Sequence, residues 1–191
     1  SVVDSGVTLT TTDDTGSDSA SFGSVFAAAA SADGAYGADG AGSITVANYD
    51  LSLAVSSGSD SGLNSGGNNV LLRESGEDIV GYYTDTSGTD VTVFSLSVDG
   101  TSGVVTLQQN AGLDHPDENT SEELLTLANS LVNLSAVATI TDYDGDTDTA
   151  TYSVDLGGNV NFDDDAPSIT SSASVVDSGV TLTTTDDTGS D

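Results

Sequence analysis

Apolar and polar residues alternate one for one along much of the chain. Tyr49, Leu51, Leu53 and Val55 are separated by Asp50, Ser52 and Ala54. A period of two places every second side chain on one face, the mark of a half-buried strand. Val132, Leu134, Ala136, Ala138 and Ile140 repeat the pattern, as do Ala150, Tyr152, Val154 and Leu156. Shorter runs predict further strands at 7–11, 69–73, 79–84, 91–98 and 104–109. Turn signals such as "SVDGTSGVV" punctuate them,. About eight strands joined by Gly, Asp and Ser turns predict an all-β fold, an antiparallel β-sandwich.

Two short helices interrupt this pattern. Phe22, Val25, Phe26 and Ala29 share one helical face,. Thr120 and Glu123 form a capping box ahead of "LLTLANSL",. The segment "DDTGSD" at 13–18 reads as an exposed turn. With few aromatic residues, the predicted core is a modest one of Val, Leu, Ile and Ala, which a metal staple would help.

The first 18 residues, "SVVDSGVTLTTTDDTGSD", recur letter for letter at 174–191, an offset of 173 positions. Chance does not produce such a match, so the chain reads as one turn of a tandem array plus the start of the next copy. The expected organisation is one repeat at 1–167, a linker at 168–173, and the start of a second repeat at 174–191. That second copy is also a candidate to complete a split domain. Interchangeable units favour mechanical reach over individual chemistry, because a catalyst gains little from identical copies in series.

Composition sharpens the functional picture. Thirty-one acidic residues face one cation, Arg73, for a formal net charge of -30. Such a surface has no basic groups to displace counterions from phosphates, which excludes nucleic acid and anionic membranes as partners. It attracts cations instead. Acidic, aromatic-poor chains are often disordered, but strand periodicity argues for a folded domain here. The chain has no cysteine, so disulfides and thiolate metal sites are excluded and any staple uses oxygen ligands,. No apolar run reaches the ~20 residues of a membrane span. The opening residues lack the basic and apolar stretches of a Sec-type signal, and their recurrence makes them read as internal to an array.

Four of the aspartates, Asp142, Asp144, Asp146 and Asp148, fall within "DYDGDTD" at 142–148, between two predicted strands. A hairpin turn explains one Asp-Gly pair, not four carboxylates. Alternate residues of an extended turn share a side, so Asp142, Asp144 and Asp146 can converge. Bare carboxylates at such distances repel, several-fold more strongly near a protein surface than in bulk water. A hard divalent cation reverses that sign. Ca2+ takes six to eight oxygens in flexible geometry, and ranks ahead of Mg2+, which demands a strict octahedron. The alternative is a solvated turn. The spacing is not that of an EF-hand, since Gly145 comes too early and no acidic twelfth position follows,.

A second acidic cluster, Asp163, Asp164 and Asp165, precedes Pro167. It reads as a junction between units, either a soluble linker or a further Ca2+ site that fixes the angle between neighbours. Asp4 and its copy Asp177 are candidate additional ligands there. The sole histidine, His115, lies beside Asp114 and Pro116 and reads as a structural turn residue. No serine–histidine–acid arrangement, phosphate-binding glycine loop or distinguished carboxylate pair appears. The sequence therefore predicts no enzyme.

Three stretches carry a resemblance. "TDYDGDTDTATYSVDLGGNVNFDDDAPSI" resembles the end of extender repeats in giant RTX adhesins, bacterial surface proteins exported by type I secretion. "LDHPDENTSEELLTLANSLVNLSAVATITDYDGD" is similar to the segment before it, and "VVDSGVTLTTTDDTGSDSASFGSVFAAAASADGAYGADGAG" to the opening of such repeats. The resemblance implies an Ig-like or cadherin-like sandwich, chained into a stalk that Ca2+ stiffens. It implies an extracellular location on a bacterial surface, neighbouring copies in the same chain as partners, and a role in adhesion and biofilm formation. It carries Asp142, Asp144, Asp146, Asp164 and Asp165 over as Ca2+ ligands, several ions being expected. A repeat this long departs from a plain Ig domain of roughly 100 residues. As an isolated fragment it is expected to be monomeric. A Ca2+-dependent carbohydrate- or peptide-binding module is the alternative role.

Overall fold

A computed structural model describes residues 6–12, 15–116 and 123–164. Among them it contains twelve strands and one helix. In chain order these are β1 (Leu9–Thr12), β2 (Ser17–Ser21), α1 (Gly23–Asp33), β3 (Ala41–Leu53), β4 (Ser59–Ser65) and β5 (Asn68–Ser75). There follow β6 (Asp78–Thr84), β7 (Asp90–Val98), β8 (Val104–Gln109), β9 (Leu124–Thr126), β10 (Val132–Asp142), β11 (Thr147–Asp155) and β12 (Val160–Asp163). The fold is all-β and sandwich-like, with mostly antiparallel pairing. The proposed linker and second repeat start lie outside the described residues.

One sheet has six strands in the order β2-β8-β7-β6-β5-β4. A second, β11-β10-β3, lies across it, with β3 passing over β5, β6 and β7. A third, β1-β12-β9, closes the side of the core. Its first pair is the exception to antiparallel order: β1 runs parallel to β12, with Leu9 opposite Val160 and Thr12 opposite Asp163.

Strand alternation translates directly into burial. Val132, Leu134 and Ala136 of β10 share one continuous core with Leu72, Ile79, Leu96 and Leu107 of the six-stranded sheet, and Ala138 further along is also buried. The core is more aromatic than expected, since all four phenylalanines are buried. Phe94 and Phe162 meet with ring centres 5.2 Å apart, joining β7 to β12. Gly81 has no room for a side chain, because a Cβ there would lie 2.2 Å from the Phe94 ring.

The first predicted helix is present. Phe26 and Ala30 are its buried residues, Phe22 just before it is buried too, and Phe26 meets Tyr49 edge to face. The second is not: Leu124–Thr126 is strand β9, paired with β12. Residues 124–127 alternate exposed, half-buried, exposed and buried, a strand pattern that the free edge of β12 completes. The tertiary partner overrides the local capping signal. Of the turn expected at 13–18, residues 13 and 14 lie outside the described residues, and its end is strand. Ser17 and Asp18 open β2, and the Asp18 carboxylate accepts hydrogen bonds from the Thr10 and Ser19 N–H groups at 2.9 and 2.8 Å.

Candidate metal centre

The β10–β11 hairpin carries the sequence's densest acidic stretch at its tip. Strand pairing ends at Thr141 opposite Thr147, leaving the five residues 142–146 to turn the chain. The Asp142 N–H donates to the Asp146 carbonyl at 3.0 Å. Asp142 Oδ1 in turn accepts from the Gly145 and Asp146 N–H groups at 3.1 and 2.8 Å. Gly145 sits at φ 101°, a conformation that only glycine adopts at low cost,. One oxygen of Asp142 is thus committed to the turn. The side chain of Tyr143 stands out at the tip, 81% exposed.

A third segment comes in against this turn. The Tyr143 N–H donates to the Gly40 carbonyl at 3.2 Å, and Asp142 stands opposite Ala41 at the start of β3. Gly42 permits this approach, since a Cβ there would lie 2.3 Å from the Thr141 carbonyl oxygen. The result brings Asp39 beside the hairpin. Carboxylate oxygens of Asp39, Asp142 and Asp144 all lie within 4.8 Å of one another.

That spacing suits a hard cation, since two oxygens on one Ca2+ at ~2.3–2.6 Å stand at most about 5 Å apart. The donors are all anionic oxygens, and Asp39 and Asp144 are exposed enough to exchange water for metal. Proton affinity reflects the crowding. A hydrogen bond from Asp144, with help from the Asp146 and Gly145 N–H groups, holds the Asp142 carboxyl below its usual range. The same hydrogen bond and the Asp142 charge push Asp144 up. The two carboxylates are thus crowded enough to oppose each other's charge, a crowding that a divalent cation between them would relieve,. Asp39, Asp142 and Asp144 would hold such an ion, which would supply charge neutralisation and a crosslink between the hairpin and the loop before β3.

The remaining candidates are placed differently. Asp146 serves the turn through its backbone; with Asp142, Asp148, Tyr36 and Gly37 it lines a cavity of about 180 Å³ beside the cluster. Asp148 also borders an adjoining groove of about 280 Å³, floored by Ile44, Ala138, Ile140 and Ala150 and flanked by Asp33 and Tyr152. Asp163 ends β12, opposite Thr12 and Leu124. The Asp164 N–H donates to the Glu123 carbonyl at 3.0 Å. Among the described residues, neither belongs to a three-carboxylate group. Asp4, Asp165 and Asp177 lie outside the described residues. His115 packs near Glu123, 3.9 Å from Nδ1 to Oε2.

Asp39 is the ligand candidate that sequence reasoning missed. Its local signal, "ADGAYGADG", is an ordinary polar loop. Only the pairing of β3 with β10, about a hundred positions apart, brings it to the hairpin. Residues 6–157 match a family profile described as "Domain of unknown function (DUF5801)". No curated protein and no solved structure matches the chain.

Proposed function

We propose that this chain, which belongs to the DUF5801 family, is a non-catalytic extender repeat, stiffened by Ca2+, in the stalk of a bacterial RTX adhesin. The stalk holds binding modules away from the cell surface, in adhesion and biofilm formation. The parent is secreted by a type I system and tethered at the outer membrane. The observation that carries this reading is the 18-residue recurrence combined with the parallel pairing of β1 and β12. Because the first and last described strands run the same way, the chain reaches β1 at one end of the pair and leaves β12 at the other. Units joined in that manner propagate in a line instead of folding back. Ca2+ held by Asp39, Asp142 and Asp144 makes each unit rigid, and the negative surface keeps neighbouring stalks apart.

The groove beside the acidic cluster favours one second reading, a Ca2+-dependent carbohydrate- or peptide-binding module. A glycan array separates the two, since hits that vanish with chelator would support the second. The extender reading is tested by titrating Ca2+ into chelated protein, following melting and small-angle scattering. At Ca2+ a hundredfold above its dissociation constant, linkage predicts a rise in Tm of about 5–10 °C. The particle should also become longer and stiffer. A flat response in both measurements overturns the reading.

A further inference from the structure

The slot beside β12 is built to accept one short strand, and the chain contains that strand's sequence twice. Leu9 of β1 is wholly buried there, and its N–H donates to the Asn159 carbonyl at 2.8 Å. The Asn159 side-chain amide donates to the Val7 carbonyl at 2.8 Å. Thr11 is buried, its hydroxyl donating to Gln109 Oε1 at 2.7 Å, and the Thr10 N–H reaches Asp18. Every group that β1 contributes belongs to "VTLTTT" at 7–12, which recurs unchanged at 180–185.

We propose that the second copy of this strand, 180–185, is an alternative occupant of the slot, so that neighbouring repeats can exchange their first strands. This does not depend on the metal. The two segments are identical in sequence, so the slot offers either one the same pairing and burial. Only the tethers differ. The first copy is held to β2 by the four residues 13–16, and the second to β12 by the eighteen residues 164–181. Eighteen residues amply span the length of a four-residue strand and allow the copy to return in the same parallel register. Loop-closure entropy grows slowly with length and favours the shorter tether by about tenfold. The first copy therefore dominates while intact, and the second takes over when the first is damaged or pulled away. An array gains a strand that can be lost and replaced without unfolding a domain.

Melting of the full chain tests this through Leu9→Ala, Leu182→Ala and the double variant. Leu182→Ala should leave Tm unchanged. Leu9→Ala should lower it by no more than about 4 °C, because the second copy caps the loss near tenfold. The double variant should fall by about 10 °C, the cost of a cavity that no copy can fill. A double variant that fails to fold while both single variants fold carries the same conclusion. Thiol trapping gives a direct readout, as Thr12 and Asp163 face each other across the pair. Both Thr12→Cys/Asp163→Cys and Thr185→Cys/Asp163→Cys chains should form an intramolecular disulfide at high dilution. The proposal is overturned if Leu9→Ala costs as much as the double variant, or if only the Thr12→Cys pair crosslinks.

Discussion

Aspartates occupy turns in both main sheets, yet their surroundings are opposite. In the six-stranded sheet, Asp85 accepts hydrogen bonds from the Ser87 and Thr89 N–H groups, each 2.8 Å, and from the Ser87 hydroxyl at 2.6 Å. Asp99 accepts from the Thr101 and Ser102 N–H groups at 2.9 and 2.7 Å. Asp90 is paired with Thr84 and with Arg73, whose guanidinium also lies 4.1 Å from the centre of the Tyr82 ring. These carboxylates are all held below their usual range by donors close in sequence or on neighbouring strands of the same sheet, β6 and β5. In the β10–β11 hairpin, Asp142 makes the same kind of turn, but Asp144 and Asp39 bring two further carboxylates within 4.8 Å of it, and Asp142 pushes Asp144 up. The chain's acidity is therefore not one property. Some aspartates are turn chemistry, and three stand close enough together to form a candidate cation site.

The largest effect expected lies in the core that the two regions share. Phe94→Ala removes a buried ring that packs against Phe162 and Gly81, and should cost about 3–5 kcal/mol,. Denaturant unfolding measures it. The Ca2+-induced rise in Tm should survive this change, since the hairpin is untouched. If the rise disappears, the acidic cluster is not an independent unit and the contrast drawn above fails.

Next in size is the response of the two acid sets to neutralisation. Asp142→Asn with Asp144→Asn should abolish the Ca2+-dependent part of Tm, about 5–10 °C, with little loss in chelator. Asp85→Asn or Asp99→Asn should lower Tm slightly and equally with and without Ca2+, because these carboxylates only accept turn hydrogen bonds. Asp39→Asn separates the structural reading from the sequence one: it should weaken Ca2+ binding by calorimetry, whereas Asp163→Asn should not. Equal losses at Asp39 and Asp163 would remove the case for a single centre at the hairpin.

Much of this molecule was legible before its structure. Apolar residues with a period of two marked β10 and parts of β3 and β11, and shorter apolar runs marked β1 and β5–β8. The strands that escaped were β2, "SDSAS", β4, "SDSGLNS", β9, "LLT", and β12, "VNFD". The first two are polar edge strands that owe their form to the neighbour they pair with, not to their own side chains. Residues 160–162 are all buried, so β12 shows no alternation, and β9 exists because it completes β12. The same division holds at the site. Asp142 and Asp144 announced themselves by local spacing, which a hairpin preserves. Asp39 arrived through the β3–β10 register, a long-range contact that no local pattern encodes.

The smallest effect is also the most direct contrast between the two acid sets, and it appears in the pH dependence of stability without metal. For Asp85, Asp90 and Asp99 the folded pKa lies below the unfolded one. Each therefore stabilises the fold above the unfolded value, ~3.9, and that stability is lost as pH falls through the folded pKa. For Asp144 the folded pKa lies above the unfolded one, so the native hairpin binds its proton more tightly than the unfolded chain does. Its contribution is present below the unfolded pKa and lost as pH rises through the folded one. Acidifying chelated protein from neutral pH should thus raise Tm slightly as Asp144 takes its proton, before the six-stranded sheet's aspartates begin to fail below about pH 4. Asp144→Asn should erase the rise and leave the acid limb unchanged. Saturating Ca2+ should also erase it, because the metal then holds the place of the proton. A rise that persists in Asp144→Asn would assign it to other carboxylates, and the hairpin would lose its contrast with the turns of the six-stranded sheet.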